Sequence, residues 1–243
     1  MLEICAADIE SVLAAQRGGA DRVELCSALG EGGTTPSAGL ISETLRSTDL
    51  KVHVLIRPRS GDFIYSESEV RTMISDIRIA TELGAHGIVI GTLDKFGNID
   101  PDICRRLIDA GQGLSVTFHR AFDMCADKIS ALEQIIEFGC NRILTSGGAS
   151  TAYEGRDIIR KLYELADGRI SIMAGCGVTP SNAGAIMSYT GIKELHASAR
   201  ETIGSTSVFR HKGVNMGNPD NDEYSRSATA ERIVRELSNI IHR

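Results

Sequence analysis

The chain lacks the features that would place it in a membrane or on nucleic acid. No apolar run approaches the roughly 20 residues that cross a bilayer. Lys and Arg total 26 against 32 Asp and Glu, a net charge of −6, and the basic residues are scattered. That pattern excludes the basic stripe of a nucleic-acid-binding face. No export signal is expected, because Met1 runs at once into Leu-Glu-Ile-Cys, which reads as a strand. The six cysteines (Cys5, Cys26, Cys104, Cys125, Cys140 and Cys176) show no CxxC spacing and no dense framework. Reduced thiols in a cytoplasm are the expectation. There is no cluster with zinc spacing. Nor does a GxGxxG follow the first strand, which argues against an open doubly wound sheet.

What is present suits one large α/β domain. At 243 residues, 42% hydrophobic and 24% charged, the chain can bury a sizeable core. Apolar segments alternate with helical ones eight times. The strands read as Leu2–Ala6, Val23–Cys26, Lys51–Pro58, Gly87–Gly91, Leu114–Phe118, Arg142–Ser146, Ile170–Ala174 and Glu194–Ser198. A weak repeat supports the count. Gly19-Ala-Asp-Arg-Val-Glu-Leu, Gly84-Ala-His-Gly-Ile-Val-Ile, Gly139-Cys-Asn-Arg-Ile-Leu-Thr and Gly191-Ile-Lys-Glu-Leu-His-Ala each stop a helix at Gly, turn, and begin a strand. Eight such units predict a single-domain (β/α)8 TIM barrel. Asp8, Thr35 with Pro36, Asp100 with Pro101, and Thr179 with Pro180 read as helix starts. The segment from about Glu201 to Arg226 is expected to be polar and irregular. A last helix follows over about Ser227–Ile241.

In a barrel the chemistry belongs at the C-terminal ends of the strands. The stretch Leu114-Ser-Val-Thr-Phe-His119-Arg120-Ala-Phe-Asp123 is the densest of these ends. Its period of two separates Thr117 and His119 from Val116 and Phe118. The first two strands offer Glu3, Cys5, Glu24 and Cys26. The third offers His53 and Arg57, followed by Arg59 and Asp62. The sixth offers Thr145, Ser146 and Gly147, and the eighth His196. Buried carboxylates require partners, and Arg57 or a histidine is expected to serve. Gly175-Cys-Gly177-Val-Thr-Pro leads toward a helix N-terminus and suits an anion. Arg57 and Arg59 can grip a carboxylate or phosphate. Cys5 and Cys26 lie on adjacent strands. They either pack as small hydrophobes or bind a soft ion, Cu(I) before Zn(II).

These runs resemble one family. Leu2-Glu-Ile-Cys5, Gly19 to Cys26, Glu31-Gly-Gly-Thr-Thr-Pro-Ser37 and Ile56-Arg-Pro-Arg59 with Gly61-Asp-Phe63 are similar to the CutC copper homeostasis family. So are Thr117-Phe-His-Arg-Ala-Phe-Asp-Met124, Leu144-Thr-Ser-Gly147, Ile172-Met-Ala-Gly175, and Gly213-Val-Asn-Met with Asp222-Glu-Tyr-Ser225. The resemblance covers essentially the whole chain. It implies a cytoplasmic TIM barrel, dimeric, engaged in copper handling, with Cys5 and Cys26 at the positions of a Cu(I)-associated cysteine pair.

Two functional readings follow. In the first, Cys5 and Cys26 hold Cu(I) and the barrel is a carrier. In the second, the protein is an enzyme acting on a small phosphorylated or carboxylated metabolite. There, His119, Glu24 and Asp123 would carry acid/base chemistry. Arg57, Arg59, Asp62, Arg120, Thr145, Ser146, Gly147, Gly175, Gly177 and His196 would bind the ligand.

Overall fold

The computed structural model describes residues 1–211, 213–214, 216 and 222–242. Eight parallel strands close into a barrel in chain order: β1 (Leu2–Ala6), β2 (Arg22–Leu25), β3 (Lys51–Leu55), β4 (Gly87–Ile90), β5 (Ser115–Phe118), β6 (Arg142–Thr145), β7 (Ser171–Ala174) and β8 (Glu194–Ala197). Helices α1 (Ile9–Arg17), α2 (Ala38–Ser47), α3 (Glu67–Leu83), α4 (Pro101–Ala110), α5 (Lys128–Glu137), α6 (Arg156–Ala166) and α7 (Ala183–Thr190) follow the first seven strands. The expected (β/α)8 barrel is the observed fold. After β8 the chain forms an antiparallel pair, β9 (Arg200–Gly204) with β10 (Ser225–Thr229), and then α8 (Glu231–Ile241). The pair replaces both ends of the stretch read from sequence as irregular, and β10 also takes Ser227–Thr229, read there as the start of the last helix, which begins at Glu231. Positions 212, 215 and 217–221 of that stretch lie outside the described residues. No described helix is long and apolar enough to cross a membrane.

The helix starts follow local chemistry. The Asp8 side chain accepts from the Ser11 N–H, and Asp100 and Asp127 cap α4 and α5 in the same way. Ser66 and Glu69 form a reciprocal capping box on α3. Two expected starts are corrected. Ser37, not Thr35, caps α2, because Thr35 is held by Arg57: its hydroxyl accepts from the Arg57 N–H at 2.9 Å. Thr179-Pro180 does not open α7 either. Asn182 folds back to accept from the Thr179 N–H at 2.8 Å, and the helix begins at Ala183.

Strand alternation sorts the side chains into two unlike sets. The outward set includes Ile4, Leu25, Val54, Ile90, Phe118 and Leu195, all fully buried. They join the helix residues Val12, Met73, Ile77, Leu107, Ile135 and Leu162 in one apolar layer. Each such side chain contributes roughly 1.5–3 kcal/mol. The inward set is mixed: Leu55, Val89, Leu144 and Met173 share it with acids, arginines and histidines, where most barrels are filled by branched apolar residues. Glu3 stands opposite Arg22 on β2 and opposite His196 on β8. The Arg22 guanidinium donates to Glu3 and, at 3.1 Å, to Glu194. Arg142 also donates to Glu194, and to the Thr117 hydroxyl at 3.4 Å. All of these groups are buried. Gly87 on β4 makes the room, since a Cβ there would stand 2.6 Å from His53 Nε2 and 2.7 Å from the Ser115 carbonyl oxygen.

This network is the floor on which the upper barrel rests. Arg22→Met would leave Glu3 without its arginine in a buried site. We expect a loss of about 3–5 kcal/mol in urea denaturation, well beyond what an exposed Arg→Met change would cause.

Candidate functional site

One step above the floor, at the C-terminal ends of β1, β2 and β8, three chemically active groups converge. Ligand atoms of Cys5, Glu24 and His196 all lie within 4.8 Å of one another. The register explains how. Cys5 is paired with Glu24 across β1 and β2, and Glu3, two residues below Cys5, is paired with His196 across the closing seam. His196 Nδ1 donates to Glu3 at 2.9 Å, and its Nε2 lies 3.6 Å from the Glu24 carboxylate. Cys26 directly follows β2 next to this group and is not one of its three converging ligands. Its S–H donates to the Ala6 carbonyl at 3.5 Å, and its sulfur packs against Cys5. Cys5 and Cys26 are 7% and 0% exposed and pack with Leu55, Val89 and Leu29.

Packing these groups together sets their charge states. The hydrogen bond from Cys26, against the penalty of burial and with help from His196, holds the Cys5 thiol well below its ordinary pKa. The same bond, together with burial, pushes Cys26 well up. Burial disfavours a charged His196, but Glu24, Cys5 and Glu3 outweigh it and raise its pKa well above the usual value. Glu3 likewise overcomes burial through Arg22 and His196, and ionises far below the usual carboxylate range. Glu24 goes the other way. Burial, with Glu3 and Cys5 as negative neighbours, lifts it to about 8 despite His196. These shifts favour a Cys5 thiolate, a charged His196, an ionised Glu3 and a protonated Glu24.

The cluster forms one wall of a cavity of about 780 Å³ open at the strand ends. The lining also includes Arg57, Phe63, His119 and Arg120, and the β7–α7 loop contributes Cys176 to Ser181. Arg57 spends its guanidinium on three carbonyls, those of Glu31 (3.0 Å), Gly33 (2.8 Å) and Gly61 (2.9 Å). It thus ties the β2–α2 and β3–α3 loops together. His119 Nδ1 accepts from the Ala121 N–H at 3.1 Å, so its proton sits on Nε2. Burial, and Arg57 nearby, depress His119 to about 3, which keeps the ring neutral.

Other residues singled out from sequence stand elsewhere. Asp123 lies under the cavity rim. Its carboxylate accepts from the Thr145 hydroxyl (2.5 Å), the Ser146 N–H and hydroxyl, the Gly148 N–H (3.0 Å) and Arg120 (2.8 Å). With its lone pairs filled this way, Asp123 clamps the β5–α5 and β6–α6 loops together. Thr145, Ser146 and Gly147 belong to that clamp. Arg59 and Asp62 bind each other at 3.0 Å, and Arg59 also holds Glu69 and the Ile64 carbonyl. They stiffen the β3–α3 loop outside the cavity wall. Gly175 packs beneath His196, where a Cβ would stand 3.2 Å from the His196 Cβ. Gly177 lines the cavity with a left-handed φ of +69°. Arg22, Arg142 and Glu194, the floor of the site, escaped the sequence reading. The signal existed, since each shares the parity of an inward residue on its own strand. They stand at the N-terminal ends of β2, β6 and β8, away from the strand ends where barrel chemistry belongs.

An eight-stranded parallel barrel with a thiol–imidazole–carboxyl cluster at its C-terminal face defines a metal-competent α/β barrel. The chain belongs to the CutC family, whose model matches residues 1–201. It is 54% identical over 242 residues to a family protein CutC of Bacteroides thetaiotaomicron, covering 98% of this chain and 97% of that one. It is 50% identical over 223 residues to a CutC protein of Histophilus somni, covering 92% of this chain and 91% of the other. Among solved structures, CutC from Streptococcus agalactiae superposes with a TM-score of 0.78 at 38% identity, covering 82% of this chain and 98% of that one. A thiamine phosphate pyrophosphorylase from Pyrococcus furiosus, with a TM-score of 0.60 and 15% identity over 99% of this chain and 95% of that one, shares the barrel alone.

His53, paired with Glu24 across β2 and β3, provides a test of how dry this interior is. Burial lowers its pKa to about 4. The unfolded chain takes up that proton near pH 6.5, before the folded one does. Stability from a neutral His53 is therefore complete above pH 6.5 and is lost as pH falls toward 4. We expect the advantage of wild type over His53→Gln in denaturant melts to shrink by up to about 3 kcal/mol across that window.

Proposed function

We propose that this chain binds Cu(I) at the Cys5 end of the cavity and serves copper homeostasis, as the designation of its Streptococcus agalactiae relative suggests for that protein. The observation that carries the reading is the convergence of Cys5 with His196, with the Cys26 sulfur against Cys5. Two sulfurs and an imidazole form a soft donor set, and soft donors select Cu(I) over harder ions. Cys5 already favours the thiolate that a metal requires. Leu29, Leu55 and Val89 around the sulfurs keep water away from them. Glu3 orients His196 by its bond to Nδ1, leaving Nε2 turned toward Cys5 and Glu24.

Glu24 is the member least suited to Cu(I), being a hard oxygen donor that holds its proton near neutral pH. Its role in this reading is to keep a third negative charge out of the pocket. The reading extends to a cytoplasmic homodimer built from single barrel domains. All six thiols are unpaired, as a reducing compartment requires. The arm between β9 and β10 exposes Val208, Phe209, Val214 and Met216, apolar surface suited to a second copy.

An anaerobic titration of Cu(I) against a chromophoric chelator tests the site. Wild type should take up a single Cu(I) tightly. Cys5→Ser/Cys26→Ser should weaken it by at least about 100-fold, His196→Gln by about 10–100-fold, and Glu24→Gln far less. Uptake indifferent to both cysteines would remove the thiol site.

A further inference from the structure

The thiol cluster uses one wall of a cavity far larger than an ion. About 780 Å³ is the size of a small-molecule pocket. The cavity lining beyond the thiol cluster contains two hydrogen-bond donors that no described group satisfies. Arg57 is 6% exposed and His119 is 5% exposed, and both line the cavity. Arg57 Nε and His119 Nε2 have no hydrogen-bond partner among the described residues. A buried donor left unpaired costs about 1–3 kcal/mol, so a pair of them in one wall needs a reason.

Arg57 has a second peculiarity. Its hydrogen bonds go to three carbonyl groups, its other close polar neighbour is the neutral Tyr65 hydroxyl, and no carboxylate lies within ion-pair distance of it among the described residues. A buried cation is normally compensated by an anion. The other buried arginines of this barrel obey that rule, Arg22 through Glu3 and Glu194, and Arg142 through Glu194. Arg57 departs from it at the edge of a ligand-sized space. His119 cannot supply the missing charge. It is neutral, with its proton on Nε2, and presents a donor.

One side chain joins the two. The Phe63 ring lies 5.0 Å from the His119 ring, centre to centre, and Arg57 Cζ lies 5.1 Å from the same Phe63 centre. Phe63 is half-buried and lines the cavity. The same ring thus packs against both side chains that carry these donors. Arg200 adds positive charge at the rim, while Leu29, Leu55 and Leu144 supply apolar wall.

We infer that this wall is a binding site for the anionic oxygen group, carboxylate or phosphate ester, of a small organic molecule, with Arg57 and His119 as its donors. The anion completes the missing counter-charge of Arg57 and accepts from His119 Nε2–H, and the organic body fills the cavity toward the thiols. The inference does not rest on the copper reading.

Thermal unfolding of metal-free protein in EDTA tests it, with glycerate as the carboxylate probe, glycerol 3-phosphate as the phosphate probe and glycerol as the neutral control. At millimolar concentration, at least one anion should raise Tm by about 3 °C or more while glycerol does not. The active probe identifies which oxyanion the site takes. His119→Asn retains an acceptor for the Ala121 N–H but lacks the Nε2 donor. Both His119→Asn and Arg57→Lys should weaken binding of that probe at least about tenfold, measured by calorimetry on protein shown to be folded by circular dichroism. Cys5→Ser/Cys26→Ser should leave it unchanged, which separates this site from the copper site. No shift with either anion, or a shift that survives both His119→Asn and Arg57→Lys, overturns the inference.

Discussion

A buried charge must be compensated, and in a closed barrel every inward charge is compensated across the interior. Glu3 is where this constraint tightens. It is fully buried, and it faces Arg22 on one side and His196 on the other. Arg22 is shared with Glu194, which is shared in turn with Arg142. Removing any one member strands the others, so the floor of the barrel behaves as a unit. Its upper member, His196, is thereby fixed in position and protonation. Everything at the thiol end of the cavity inherits its arrangement from that ring.

The same economy distributes charge above the floor. With Glu3 ionised and Cys5 held as a thiolate, a third negative charge is unfavourable, and Glu24 is the group that keeps its proton. Two sulfurs pack against each other, and an imidazole bridges two carboxyl groups. The lining around Arg57 and His119 follows a different logic. Arg57 there is a structural tie between two loops that also carries an uncompensated charge, and His119 is neutral with a spare donor. The cavity lining thus combines soft donors, an uncompensated positive charge and apolar side chains.

The barrel itself says little about chemistry. The thiamine phosphate pyrophosphorylase and a phosphoribosylanthranilate isomerase from Pyrococcus furiosus superpose on it with TM-scores of 0.60 and 0.58, at 15% and 11% identity. At such identities the scaffold is common and the function is not. What distinguishes this chain is its inward set, which replaces part of the usual branched apolar filling with acids, arginines and histidines.

The sequence by itself determined the eight strand–helix units and the face on which each inward residue lies. Both depend on local periodicity, on Gly at helix ends and on capping side chains such as Asp8, Ser66 and Asp100. Adjacency of consecutive parallel strands also makes Cys5, Glu24 and Cys26 neighbours from the sequence alone. Tertiary structure decided which inward groups meet. His196 reaches Glu3 across 193 residues only because β8 closes on β1. Asp123, which reads as a free acid in the chain, is filled by donors from the β6–α6 loop. Arg57, which reads as a partner for Glu3 or Glu24, turns instead to three loop carbonyls, and Arg22 takes that place. Period and capping are properties of a few consecutive residues. Charge compensation is a property of the closed interior, where partners come from opposite ends of the chain.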